Sequence, residues 1–268
     1  MKWNQNFNER LKVEKNKLIK ISDEDYFAVN ALSNSGVTDL LDNPAKFKLP
    51  KKEKDCFIEG RAFHILSSEP GRESEIKVAT KTRTSEQIKN GYLKPKSFNE
   101  CKNWAKAIRG YKYKGTTLGQ IFDECLVEMA IFWDQEFNGV RVNCKSKIDL
   151  ISEKYKIIFD LKSAKDASKH GFQNAMYRDR YYYRQACFYR LNDRLKDYSF
   201  FFPVVEKEPP YCTALYHADE ETMETAYYEI EKAAGIYQNG IDTGIWSSQY
   251  NEEPVELKPA GWFYYKQV

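Results

Sequence analysis

The stretch that decides the fold is residues 140–162, which read VRVNCKSKIDLISEKYKIIFDLK. Apolar and polar residues alternate over its first six positions, and this period of two predicts a half-buried β-strand. Asn138-Gly139, immediately before it, is a strong signal for a tight hairpin turn. A polar turn at 152–154 separates this strand from the apolar run Ile157–Leu161, which predicts a second, more central strand.

The two predicted strands bring two carboxylates together. If the turn near Lys154 joins antiparallel strands, residues equally distant from it face each other, so Asp149 faces Asp160. Residues two apart in a strand share a face, so Lys162 points the same way as Asp160. The sequence therefore predicts two carboxylates and one ammonium on one side of a small sheet.

This grouping suits phosphodiester hydrolysis. Two carboxylates supply the hard oxygen ligands that Mg²⁺ or Mn²⁺ prefers, and the backbone carbonyl of Leu161 is a candidate further ligand. The metal would polarise the phosphate, and Lys162 would orient water or stabilise negative charge. A bare Asp-x-Lys is most often a surface ion pair at a strand end. The apolar strand before it, the facing Asp149 and the basic segment after it favour the catalytic interpretation.

The rest of the chain predicts a mixed α/β fold. Further strands are predicted over Val127–Trp133, Tyr198–Val205 and Tyr211–Tyr216. Helices are predicted after Ser33, over Glu59–Leu66 and Glu100–Ile108, in a long segment from Lys169 to Leu195, and from Asp219 to a stop at Asn239-Gly240. We therefore expect a mixed central sheet of four or five strands flanked by helices, with an N-terminal helical part. The chain is expected to be one domain over residues 1–268, with a catalytic core at about 120–217 and peripheral segments 1–25 and 245–268.

Composition narrows the function classes. Apolar residues make up 42% and charged residues 30% of the 268 residues, which indicates a globular protein. No run approaches the roughly 18–20 apolar residues of a membrane span, and the N-terminus does not resemble a secretory signal. We therefore expect an intracellular, cytoplasmic protein with no membrane partner.

Charge gives a weaker indication of the partner. The net charge of +3 says little, but basic residues outnumber acidic ones between Lys162 and Lys196, where tyrosines are interleaved. Such a segment can neutralise phosphates and offer faces for base stacking, although a solvated helix face explains it equally well.

The cysteines do not form a metal-binding pattern. No two make a CxxC pair, so we expect buried, reduced thiols and no iron–sulfur cluster. The six are Cys56, Cys101, Cys125, Cys144, Cys187 and Cys212.

Several motifs, in order along the chain, resemble those of the PD-(D/E)XK nucleases. Asp149 followed by Asp160-Leu161-Lys162 is similar to the signature itself, with Ile148 in place of the proline. The trailing Q-x-x-x-Y from Gln185 to Tyr189 is typical of the RecB-like branch. Segments that resemble RecE-like and lambda-type exonucleases are Gly60–His64, with the G-x-x-x-H pattern, Leu32–Gly36, Asn43–Phe47 and Glu128–Trp133.

The resemblance implies roles for further residues. His64 would be a metal ligand, and Glu128 would hold a second metal or a water. Gln185 and Tyr189 share a helical face that would lie against the active site. Residues implied in DNA binding are Ser33 and Ser35, at a helix N-terminus that would receive a 5′-phosphate, Arg61 as a phosphate clamp, and Arg178, Arg180 and Arg184 as backbone contacts.

The expected function follows from this resemblance. We expect an Mg²⁺- or Mn²⁺-dependent exonuclease that degrades linear double-stranded DNA from 5′ to 3′ and leaves single strands for recombination by annealing. A ring-shaped homo-oligomer and a single-strand annealing partner are implied in the same way. The alternatives are an endonuclease, a CRISPR-adaptation-type or other DNA-repair nuclease of the same fold, a non-catalytic DNA-binding module, and a small-molecule hydrolase.

Overall fold

A computed structural model describes residues 14–50, 53–249 and 253–259. Within these ranges the strands are β1 (Ile19–Lys20), β2 (Lys112–Tyr113), β3 (Thr116–Thr117), β4 (Leu126–Phe137), β5 (Val140–Ser152), β6 (Ile157–Phe159), β7 (Lys162–Ala164), β8 (Ser199–Glu206) and β9 (Thr213–His217). The α-helices are α1 (Asp23–Ala28), α2 (Asn34–Asp42), α3 (Asp55–Ser68), α4 (Ser85–Lys89), α5 (Pro95–Arg109), α6 (Leu118–Phe122), α7 (Lys169–Asn174), α8 (Tyr182–Arg190) and α9 (Glu221–Thr243). Two 3₁₀ turns, Pro44–Lys48 and Pro70–Glu75, and a π-helical turn, Ala175–Asp179, complete the set.

The centre of the fold is a mixed sheet of seven strands. Its order is β1-β4-β5-β6-β8-β7, and β9 pairs with β8. Neighbours are antiparallel except that β6 and β7 both run parallel to β8. The expected α/β fold with a mixed, helix-flanked sheet is confirmed. The expected number of four or five strands is wrong, because β1 and β7 are too short to give a periodic pattern.

The predicted hairpin and the predicted strand register are both present. Asn138 (φ 48°) and Gly139 (φ 79°) form a two-residue turn with both backbones left-handed, and Phe137 pairs with Val140 across it. At the next turn Leu150 pairs with Phe159, which is the register that sets Asp149 opposite Asp160.

One strand is interrupted where the site lies. β6 and β7 pair with successive parts of β8, and Asp160 and Leu161 form the gap between them. The neighbouring strand β5 pairs with β6 but not with β7. From the pair Leu150 with Phe159 towards Asp149, β5 therefore separates from the chain that continues into β7. This separation opens the sheet to groups from both helical layers.

Each face of the sheet carries its own apolar core. On one face α8 and α9 pack over Trp133 and Phe200, and on the other α3 and α5 pack over Phe159. In the core beneath α8 and α9, the buried rings of Trp133 and Phe188 pack with centroids 5.3 Å apart. Among the described residues no helix is long and apolar enough to cross a membrane.

Two helix predictions are wrong in detail. The long helix predicted from Lys169 to Leu195 is broken into α7, the π-helical turn and α8, with left-handed Tyr181 at the break. The last helix continues through Asn239-Gly240 to Thr243 and ends at left-handed Gly244. Gly240 is required by packing rather than by a turn, because a Cβ there would lie 2.6 Å from the ring of Trp246.

The chain ends and the thiols also differ from expectation. Residues 14–25 are not wholly peripheral, because β1 pairs with β4 at the sheet edge; the rest of that segment, 1–13, lies outside the described residues. Trp246, in the other segment expected to be peripheral, stacks on Phe47. All six cysteines are free, and three of them are buried as expected, but Cys56 and Cys212 are exposed.

Two glycine substitutions test the turn and helix assignments. An added methyl group would meet no atom within 4 Å at Gly139 or at Gly235, so backbone conformation alone sets the effect. Gly139→Ala should lower the free energy of unfolding by about 1 kcal/mol, because its backbone is left-handed. Gly235→Ala, inside α9, should raise it by about 0.5–1 kcal/mol. Urea denaturation measures both, and effects of the same sign would contradict the assignments.

Candidate active site

The catalytic candidates meet where β5 and β7 separate. Asp149 lies near the end of β5, Asp160 and Leu161 lie in the gap after β6, and Lys162 begins β7. The N–H of Leu161 donates to Asp149 Oδ2 at 2.9 Å, which locks the two chain segments together. The predicted convergence of two carboxylates and one ammonium is therefore present in the structure.

Lys162 is held as a cation. Its Nζ contacts Asp160 Oδ2, donates to Gln185 Oε1 at 3.3 Å and lies 4.5 Å from the centroid of the Tyr182 ring. Burial acts to lower the pKa of Lys162, but the surrounding negative charge, led by Asp160, raises it above the ordinary value. Lys162 therefore supplies positive charge and is unsuited to act as a base.

Gln185 and Tyr189 position the charged groups. Gln185 Nε2 donates to Asp160 Oδ1 at 2.6 Å and also contacts the Tyr189 hydroxyl at 3.2 Å. The Tyr189 hydroxyl in turn donates to the backbone carbonyl of Lys147, 3.2 Å away. Gln185 thus contacts two site residues directly, while Tyr189 acts through Gln185.

Glu128 sits in the site because of a distorted strand. It has φ 53° near the start of β4, between the regular pairs Val127 with Leu150 and Met129 with Ile148. A left-handed backbone is rare for a residue with a Cβ and costs roughly 1–3 kcal/mol. Its position along the strand is opposite Asp149, so the distortion lies at the site and not at a turn.

His64 reaches the same point from α3. Its Nδ1 lies 3.4 Å from Asp149 Oδ1, and its Nε2 lies 3.2 Å from the carbonyl oxygen of Leu161. Burial acts to lower the pKa of His64, but Asp149 and then Asp160 raise it to about 9. In the protein without a cation both ring nitrogens therefore carry protons and donate to these two oxygens.

The donor set fits a hard divalent cation. Single ligand atoms of His64, Glu128 and Asp149 lie within 4.8 Å of one another. Asp160 is not in this group, and its buried Oδ2 contacts the Lys162 ammonium. Oxygen donors with one imidazole suit Mg²⁺ or Mn²⁺.

The carboxylates are electrostatically unequal. Burial raises the pKa of Glu128, and Asp149 raises it further against the opposing effect of Lys147. Burial also acts to raise the pKa of Asp149, but His64 and Lys162 outweigh it, and the pKa lies below the ordinary value. Burial likewise raises the pKa of Asp160. The charged forms of Glu128 and Asp160 are therefore disfavoured until a further cation is present.

The predicted phosphate-binding residues divide into separate places. Ser33 caps α2 through the N–H of Gly36, and Ser33 and Ser35 line a cavity of about 620 Å³ with Lys145, Lys48 and the acidic Asp39. Arg61, half exposed on α3, pairs with Glu53 at 3.0 Å.

The three arginines that follow β7 also differ from one another. Arg178 and Arg180 are exposed, as a contact with a DNA backbone requires. Arg184 is only 3% exposed and pairs with Glu229, so the prediction that it contacts DNA fails on burial.

Two residues at this site, Lys147 and Tyr182, were not predicted from the sequence, and neither was Lys145 in the cavity beside Ser33. Lys147 pairs with Glu128 at 3.0 Å and with Asp23 of α1, and Tyr182 underlies the Lys162 ammonium. Lys145 is buried and donates to the carbonyls of Tyr26 and Val29. The signal for the two lysines was available, because positions 145, 147 and 149 alternate along β5 and share one face.

Comparisons with known proteins place the chain in a family. The central mixed sheet flanked by helices matches a PDDEXK-like nuclease fold. The chain belongs to the family described as a PDDEXK-like domain of unknown function (DUF3799), which matches residues 41–251. This supports the PD-(D/E)XK superfamily but not the RecE-like branch. The search of curated proteins gave no match.

One solved structure shares the fold of this chain. The crystal structure of a protein named as a candidate exonuclease from Eubacterium rectale superposes with a TM-score of 0.62 and 14% identity, covering 92% of this chain and 98% of that one. At this identity the likeness concerns the fold. A second structure, that of SSO0001, covers 86% of this chain and 82% of its own at 12% identity, but its TM-score of 0.37 is too low to support an argument.

Compared with the wild type, Glu128→Gln should be at least as stable without metal but less stable with metal. Without metal the variant should be at least as stable as the wild type, because it removes a charge that burial and Asp149 disfavour. With Mn²⁺ the wild type should gain about 2.7 kcal/mol once free metal exceeds Kd a hundredfold, and the variant should gain much less. Thermal denaturation in EDTA and in MnCl₂ measures both.

The matched control is Glu124→Gln, which removes the same charge from an exposed residue paired with Lys154. It should keep the full metal response. An equal response of all three proteins to Mn²⁺ would exclude Glu128 from the metal centre.

Proposed function

We propose that this protein is a metal-dependent deoxyribonuclease that hydrolyses phosphodiester bonds at the cluster of Asp149, Asp160 and Lys162. The observation that carries the proposal is the contact of a partly buried cationic lysine with one of two carboxylates where a strand is interrupted. A DNA-binding module without catalysis does not need two carboxylates and a lysine held together where burial disfavours their charges. Membership of a PDDEXK-like family supports the same conclusion.

The chain's own residues define how the reaction would proceed. A divalent cation held by His64, Asp149 and Glu128, with Asp160 and the Leu161 carbonyl beside them, would polarise the scissile phosphate. Lys162 would offset the negative charge that develops on the phosphate, since its raised pKa keeps it protonated. Gln185 would keep Asp160 and Lys162 in place through one hydrogen bond to each.

We assign Mg²⁺ or Mn²⁺ as the cofactor from the donor types. Carboxylate and carbonyl oxygens dominate the set, which favours these ions over softer metals. One imidazole donor makes Mn²⁺ an effective substitute in the tests below.

The substrate we propose is the end of linear double-stranded DNA, cut from 5′ to 3′. This polarity is carried over from the resemblance to RecE-like and lambda-type exonucleases. The cavity beside Ser33 and Ser35 supports it, because a helix N-terminus and buried Lys145 favour an anion such as a 5′-phosphate. A ring-shaped oligomer, a role in recombination or repair with a single-strand annealing protein, and a bacterial or phage-infected host cell rest on the resemblance alone. A cytoplasmic location rests on the composition of the chain.

The decisive assay is digestion of linear duplex DNA labelled at the 5′ or the 3′ end. Wild type should release the 5′ label with Mg²⁺ and not with EDTA, and a closed circle should stay intact. Asp160→Asn and Lys162→Met should each slow cleavage at least about 100-fold, since each removes a preorganised charge at the phosphate. Melting curves must show that both variants fold.

Controls and further substrates separate the parts of this proposal. Lys154→Met, which removes an exposed lysine paired with Glu124, should cleave normally. Dephosphorylated ends should be cut about tenfold more slowly, with the difference abolished in Ser35→Ala. Cut circles would indicate an endonuclease instead, and no cleavage with any divalent metal would refute the nuclease.

A further inference from the structure

The segment that joins β7 to Gln185 contains a strained turn. Between α7 and α8 the chain makes a π-helical turn over Ala175–Asp179, and Tyr181 then adopts φ 55° and ψ 42°. This left-handed conformation is unfavourable for a bulky residue, and π-helical turns occur frequently at functional sites. The turn divides what the sequence predicts as one continuous helix.

Buried contacts hold this turn in place. The guanidinium of Arg184 lies 4.1 Å from the centroid of the Tyr181 ring, and its Nε is 3.3 Å from Glu229 Oε2. The hydroxyl of Tyr183 donates to the same oxygen at 2.6 Å. Arg184 and Tyr183 are both buried, so α9 fixes the position of the Tyr181 ring through Glu229.

The turn presents two aromatic rings to solvent. Tyr177 is 41% exposed and Tyr181 is 36% exposed. Both pack against the buried ring of Tyr183, with centroids 5.7 Å and 6.4 Å away. The three rings therefore form one preorganised cluster whose two outer members are accessible, and we name Tyr177 and Tyr181 the tyrosine platform.

Positive charge flanks the platform. Arg178 and Arg180 are exposed, and neither forms an ion pair with any residue that the structure describes. With Asp179 between them, the exposed tip of the turn carries a net positive charge. Accessible aromatic faces beside free guanidinium groups match the needs of a single strand, whose bases stack on rings while its phosphates attract cations.

The platform adjoins, in the chain, a tyrosine whose ring contacts the catalytic lysine. Tyr182, between Tyr181 and Tyr183, places its ring 4.5 Å from Lys162 Nζ. Gln185 follows three residues later and contacts both Asp160 and Lys162. Consecutive Cα atoms are about 3.8 Å apart, so Tyr181 of the platform directly adjoins the residue whose ring contacts Lys162.

We propose that Tyr177 and Tyr181 stack on unpaired bases of the strand being cut, so that the site takes single-stranded or frayed DNA ends. The inference rests on the nuclease function proposed above. Bases inside a duplex already stack on each other, and only the outer face of a terminal pair is free, so two separate rings suit successive unpaired bases better than a blunt end. A blunt duplex must then fray before cleavage, and an unpaired end needs no such step.

Binding of a fluorescent single-stranded oligonucleotide, measured by anisotropy in EDTA, tests this without any cleavage. Tyr177→Ala and Tyr181→Ala should each weaken binding about 5- to 150-fold, the range expected for losing one stacked base. Tyr177→Phe and Tyr181→Phe should bind as the wild type does, because stacking needs the ring and not the hydroxyl. Tyr228→Ala removes a tyrosine that is 68% exposed on α9 and should have no effect.

A blunt duplex of the same length provides the second arm, and the alanine variants should lose much less affinity for it. Equal loss on both substrates, or the same loss in the phenylalanine variants, would overturn the platform. Unchanged single-strand binding would overturn it as well and would leave the nuclease proposal intact. Conversely, a nuclease that fails to cut while this binding pattern holds would refute catalysis and leave the platform standing.

Discussion

The carboxylates of Glu128, Asp149 and Asp160 lie close together with little water, and the structure around them is arranged to offset their repulsion. Removing carboxylates from water and placing them side by side disfavours their charged forms, as the raised pKa values of Glu128 and Asp160 indicate. Three positive side chains compensate from different directions, and Lys147 is the one that pairs with Glu128. Lys162 contacts Asp160 from within the sheet, and His64 contacts Asp149 from α3.

This compensation explains why helices on opposite faces of the sheet both reach the site. The separation of β5 from β7 leaves an opening through which α3 delivers His64 and α8 delivers Gln185. Local distortion concentrates at the same place: left-handed Glu128 faces Asp149, and left-handed Tyr181 comes just before Tyr182. Strained backbone of this kind persists only where surrounding contacts fix it, and it clusters at functional sites.

Much of the central site follows from the sequence because β-strand geometry is regular. The turn after Ser152 fixes the register that sets Asp149 opposite Asp160, and the period of two adds Lys162. The Asn138-Gly139 hairpin fixes the register of β4 and β5 in the same way, and this register places Glu128 opposite Asp149. His64, in contrast, comes from a helix remote in sequence, and only the resemblance to PD-(D/E)XK nucleases indicated it.

Other features could not be read from the chain. The helical pattern of 169–195 contains no glycine or proline near Tyr181, so local propensity gives no sign of the break, which long-range contacts from Arg184 and Glu229 stabilise. The burial of Arg184 is equally invisible in a sequence rich in exposed arginines. The short strands β1 and β7 are defined by their partners and not by their own pattern.

The assignment of His64, Asp149 and Glu128 as a metal centre is tested most directly by an anomalous difference map from a crystal of the protein grown with Mn²⁺. We expect a peak bound by His64, Asp149 and Glu128, with the Leu161 carbonyl or Asp160 as a further ligand. A map with well-ordered carboxylates and no peak among them would contradict the assignment of this cluster as a metal centre.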